Sequence, residues 1–164
     1  MTEKKTNYFD SPEGKAAMQR MEEMGRERKK RQREEPWDMP EPLRDWIAHG
    51  LHCVILDGPM GINGYVFVPL EHPFHLTAYS ECPQGCEESW CDHTPESAID
   101  VHGGITFSHL AKSGEWVFGF DTCHAGDFMI TPISVYEGQI WDEDAVADET
   151  AGMAEQLAVM AAQD

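Results

Sequence analysis

The feature that most constrains this fold is a series of short apolar runs cut by glycine. They are "LHCVILD" at 51–57, "YVFVP" at 65–69, "IDVHGGITFS" at 99–108 and "EWVFGF" at 115–120. Each is shorter than an ordinary helix and rich in β-branched or aromatic residues, the pattern of buried strands. The linker "GPMGING" has no lysine and lacks the spacing of a phosphate loop, so it reads as a hairpin turn with a loop of several residues. The later pair predicts strands over 99–108 and 115–121 joined by "HLAKSG". "LRDWIAHG", ahead of the first strand, reads as a short helix or turn. "WDEDAVADETAGMAEQLAVMAAQ" reads as a C-terminal helix capped by Asp142 or Asp144, with Val146, Met153, Leu157 and Met160 on its apolar face. The expectation is an α+β domain: a small, mostly antiparallel sheet of about four strands, a C-terminal helix and a metal-pinned loop.

Charge divides the chain in two. Ten of the 12 lysines and arginines lie in residues 1–35, and only Arg44 and Lys112 follow. Residues 36–164 set those two against 22 acidic residues, a formal charge of −20. Residues 1–40 therefore read as a charged, partly helical tail, with Ser11 as N-cap, Pro12 at the first helical position and Met18, Met21 and Met24 as a thin apolar stripe. The basic "RERKKRQR" within it suits nucleic acid or the acidic body of a neighbouring copy. Residues 41–164 read as a single acidic domain. Such a body repels nucleic acid and anionic membranes and attracts divalent cations and basic protein surfaces. No apolar run is long enough to span a bilayer, and the N-terminus has no apolar signal core, so a cytosolic protein is expected.

Three groups of residues have the chemistry of a site. "CPQGCEESWCDH" holds Cys82, Cys86, Cys91 and His93. Five cysteines in a cytosolic chain argue against a disulfide framework, and thiolates with an imidazole are preferred ligands of structural zinc. The second group spans the last two strands: His102 beside Gly103 and Gly104, then Asp121, His124 and Asp127 in "FDTCHAGD". If the strands pair, these four converge at one end of the sheet, as an open metal site or a His–Asp acid/base pair. The third, "EHPFHLTAY", adds Glu71 and His72; its "HLTA" has the form of half a two-histidine phosphoesterase motif whose other half is missing. Cys123 as a nucleophile is disfavoured, because neighbours on a strand end such as Cys123 and His124 point apart.

"NGYVFVP" followed by "HP", then "PES", "IDVHGGITFS", "WVFGFDTCHAGD" and "AVADETAGMAEQLA", resemble an uncharacterised family of small proteins of tailed bacteriophages, often those of actinobacteria. The resemblance covers roughly residues 50–162 and omits the charged N-terminal segment. It implies an accessory phage product in a bacterial host cytosol, altering host metabolism or blocking a defence, and it points to His72, His102, Asp121, His124 and Asp127. The expected function is a metal-dependent hydrolase of a small molecule. His102, Asp121, His124 and His72 would hold a divalent metal beside the structural zinc, and Asp127 or Glu71 would act as general base. The alternative is a non-catalytic acidic inhibitor or binding protein, a nucleic-acid mimic or ligand sponge acting on a host protein, with zinc only structural.

Overall fold

The computed structural model describes residues 8–83 and 93–162. It is an α+β domain. The main sheet has five strands, all antiparallel: β1 (Arg44–Ala48), β2 (Leu51–Gly58), β3 (Gly61–Val68), β4 (Phe107–Leu110) and β5 (Trp116–Phe120), in the order β1-β2-β3-β5-β4. A small hairpin, β6 (Met129–Thr131) with β7 (Ser134–Tyr136), stands apart from it. The helices are α1 (Pro12–Glu34), the short α2 (Pro95–Ala98) and α3 (Glu143–Ala161). Among the described residues no helix is long and apolar enough to cross a membrane.

Strand alternation builds two apolar layers. Cys53, Ile55, Val66, Val68, Trp116, Phe118 and Phe120 face α3 and meet its Val146, Met153, Ala154 and Leu157. Val54, Leu56, Tyr65, Phe67 and Val117 face the other way, where Trp37, Met39 and Phe107 cover them. Trp37 and Met39, part of the N-terminal zone by composition, thus complete the second layer, and Trp37 bridges to Ala111. Gly64 lets α3 approach: a Cβ there would overlap the Thr150 hydroxyl and lie 2.5 Å from the Phe120 ring. Asp142 caps α3 by accepting from the Ala145 N–H at 2.9 Å, and Glu143 and Asp144 follow at the positive end of the helix dipole.

Three local expectations are corrected. "RDWIA" is an edge strand, because His49 (φ 51°) and Gly50 (φ 79°) make a two-residue turn that pairs Ala48 with Leu51. The β2–β3 connection is also tighter than expected: Gly58 pairs with Gly61, leaving Pro59 and Met60 as the turn. The run at 99–108 is a strand only from Phe107, since Gly103 and Gly104 adopt φ of 67° and 80° and end any extended run. Ile99, Val101 and Ile105 still reach the α3-side core, whereas Phe107 lies on the other face.

α1 begins as expected, with Ser11 accepting from the Gly14 N–H at 3.0 Å. Its last turns touch the body: Arg33 Nε donates to the Leu76 carbonyl at 2.9 Å, and Lys29 and Arg33 pair with Glu81.

Candidate functional site

The hairpin β4–β5 and the turns around it bring His102, Asp121, His124 and Asp127 together. Asp127 lies at the centre and is only 2% exposed. Its Oδ2 accepts from His102 Nε2 and from the His124 N–H, each at 2.8 Å, and its Oδ1 accepts from Trp141 Nε1 at 2.9 Å. Burial alone would raise its pKa. The hydrogen bonds from His102, the His124 amide and Trp141 outweigh this and hold the carboxyl below the usual range. An ionised carboxylate only accepts, so His102 carries its proton on Nε2. Its other nitrogen, Nδ1, has no hydrogen-bond partner among the described residues.

The loop bearing His102 is stapled to α3. The His102 N–H donates to Glu149 Oε1 at 2.6 Å. Gln156 clamps Asp100, accepting from its N–H at 2.8 Å and donating to its carbonyl at 2.7 Å. Between loop and helix lies a polar cleft of about 520 Å³, lined by Asp100, His102, Gln139, Trp141, Glu149 and Gln156 among others. The His102 ring also packs at a tilt against Trp141, centroids 4.4 Å apart and planes 46° from parallel. A second hollow of about 270 Å³, against Trp37, Met39 and Phe67, belongs to the opposite, more apolar face of the sheet.

Asp121 and His124 shape the turn beside this pair. Asp121 accepts from Thr106 Oγ1 at 2.9 Å and from the Cys123 N–H at 3.1 Å. His124 Nε2 is 3.4 Å from Asp121 Oδ1, within ion-pair reach but without hydrogen-bond geometry, and is shielded from solvent. The glycines of "HGG" have separate reasons. A Cβ on Gly103 would overlap the His124 ring, while Gly104 is held by its backbone angle alone. The Cys123 thiol is pushed up by burial and by Asp121 and Asp127, the wrong direction for a nucleophile at neutral pH.

The remaining candidates lie elsewhere or in structural roles. His72 is buried, with Nε2 2.9 Å from the Leu157 carbonyl and Nδ1 accepting from the Phe74 N–H at 3.0 Å, so it ties the turn after β3 to the end of α3. Glu71 is exposed on that turn. Cys86 and Cys91 lie outside the described residues. Cys82 is disulfide-bonded and in that state offers no thiolate to a metal; His93 is exposed just before α2. Among the described residues no group of three or more His, Cys, Asp or Glu side chains is placed to hold a metal ion. The sequence reading missed Trp141, Gln139, Glu149 and Gln156. One signal was available: Glu149, Gly152 and Gln156 recur at helical spacing, a polar stripe beside the apolar face of α3.

Comparison with family models, with curated proteins and with solved structures finds no match to this chain.

The depressed pKa of Asp127 has a stability consequence. A carboxyl with a lower pKa in the folded than in the unfolded state contributes stability that is fully present above the unfolded value, about 3.9, and is lost as pH falls through the folded value. Urea unfolding followed downward from pH 5 should show this loss in the wild type and a shallower one in Asp127→Asn. Parallel curves would mean that Asp127 is not the linked group.

Proposed function

We propose that the cleft binds a small, polar, neutral or cationic molecule and that His102 performs acid/base chemistry on it. One observation carries this reading. A buried carboxylate with three donors fixes Nε2 of His102 and leaves Nδ1 as the unpaired nitrogen of a residue that lines the cleft. In a hydrolytic step, Nδ1 would take a proton from water as the water oxygen attacks the substrate, and would return it to the leaving group. Asp127 would stabilise the intervening imidazolium without itself taking the proton.

The ligand class follows from charge. Among the described residues no lysine or arginine lines the cleft, and Asp100 and Glu149 do. The two basic residues beyond residue 35 are both paired, Arg44 with Asp144 at 3.1 Å and Lys112 with Asp38. A phosphate or carboxylate ligand would meet no countercharge there. A metal-centred form of the hydrolase would use the same Nδ1 as a ligand, with Asp127 still holding Nε2–H, and would need further ligands around it, whereas the acid/base form uses the groups as they stand. The bacteriophage resemblance supports an accessory role in a host cytosol for such an activity.

The test is a thermal-shift screen of amines, amides, amino sugars and matched anions against the full chain and against His102→Ala and Glu149→Gln, with hits then assayed for turnover. The expected result is stabilisation by neutral or cationic compounds that is lost in both variants, and turnover that is lost in His102→Ala. Hits confined to anions, or indifferent to both substitutions, would overturn the reading.

A further inference from the structure

The β6–β7 hairpin carries an exposed apolar surface that the fold does not use. Ile133 at its tip is 93% exposed, Ile140 70% and Ile130 68%, with Phe128 and the cross-strand neighbour Val135 beside them. Phe128, Ile130 and Ile140 join Met60 and Ile62 around a hollow of about 260 Å³ that also borders Asp57. No lysine or arginine follows Lys112, so every formal charge on residues 113–164, which include the hairpin, is negative, and Asp57 borders the hollow. Contiguous apolar surface of this kind marks an interaction site. Its surroundings select a partner whose apolar side chains sit among cations.

The same chain presents such a surface. On α1, Met21 is 72% exposed, and Met18 and Met24 are also exposed. Met21, Met24, Arg28 and Arg31 border one shallow groove. The helix carries eight basic against five acidic residues; Lys29 and Arg33 are engaged by Glu81 and Lys30 by Glu34, which leaves Arg20, Arg26, Arg28 and Arg31 beside the methionines, interspersed with Glu22, Glu23 and Glu27. Methionine is unbranched and adapts to irregular apolar hollows. α1 is anchored at its C-terminal end through Arg33 and Lys29, while its methionine stripe and the hairpin both remain exposed within one chain.

We propose that the methionine stripe of α1 docks on the β6–β7 hairpin of a second copy of this chain. Two different patches meet, so the contact is heterologous: it propagates head-to-tail or closes a ring. Because basic and acidic surfaces face each other, salt weakens it.

The test uses the full chain with two double variants at exposed positions, Met21→Glu/Met24→Glu and Ile133→Asp/Ile140→Asp, in analytical ultracentrifugation across micromolar concentrations. The wild type should form species larger than the 18.5 kDa chain, growing with concentration and receding with salt. Each variant alone should sediment as a monomer with an unchanged circular dichroism spectrum. Mixed in equal amounts they should form a species of two chains and no larger, since one intact patch remains on each. A monomeric wild type, a helix variant that associates like the wild type, or a mixture that stays monomeric would each overturn the proposal.

Discussion

Asp127→Asn is expected to lower the melting temperature by roughly 3–10 °C, from an N–H group left unpaired at a cost of about 1–3 kcal/mol. The carboxylate accepts from three N–H groups, and an amide can accept on only one side. If the amide oxygen replaces Oδ2, it serves His102 and His124, and the new NH2 confronts the indole N–H of Trp141, which can only donate. If the NH2 replaces Oδ2, it confronts the His124 backbone N–H, which has no alternative tautomer. Either orientation strands a buried donor. Calorimetry on the two proteins at neutral pH checks this. An unchanged melting temperature would mean that Asp127 is not the centre of the network.

Gly64→Ala is expected to cost about 3 kcal/mol, near the upper end for overpacking a core. The added methyl group would overlap the Thr150 hydroxyl and press on the Phe120 ring. Thr150 is 0% and Phe120 1% exposed, so neither has space to retreat into. Strand β3 and helix α3 must separate, and the loop carrying His102 is stapled to α3 through Glu149 and Gln156. The substitution should therefore also loosen the cleft. Gly25→Ala is the control. Gly25 lies within α1 with nothing inside 4 Å of a Cβ, so alanine should be neutral or stabilising there. Urea melts of the two variants should move in opposite directions or differ by most of the stated cost. Equal, small effects would contradict the packing account.

Much of the fold was legible because strand alternation is a local signal. The run from Trp116 to Phe120 placed its three bulky aromatics on one face, and the structure buries them against α3. Asp142 as a cap and Ser11 before Pro12 were equally local. The failures came where glycine geometry decides the path. Whether "VHGGITF" continues as a strand depends on the φ of Gly103 and Gly104, and whether "RDWIA" is a strand depends on the turn made by His49 and Gly50. Composition also could not show that Trp37 packs with Tyr65 and Phe107.

For the site, the four residues around "HGG" and "FDTCHAGD" were legible as a group, but their division of labour was not. Asp127, rather than Asp121, takes His102, because the His124 amide and Trp141 fix its two oxygens from other sides. Trp141 comes from the segment before α3, and no spacing rule links it to His102. Glu71 and His72 follow β3 closely, yet one is exposed and the other is consumed in tying that turn to α3.

The most direct test of the central claim is long-range proton–nitrogen NMR of the His102 ring at neutral pH, assigned with His102→Gln. The account requires the proton on Nε2, slow to exchange and hydrogen-bonded to Asp127, with Nδ1 unprotonated and shifting when a cleft ligand binds. A proton resident on Nδ1, or a rapidly averaged mixture of tautomers, would contradict it and leave His102 as a structural clamp between loop and turn.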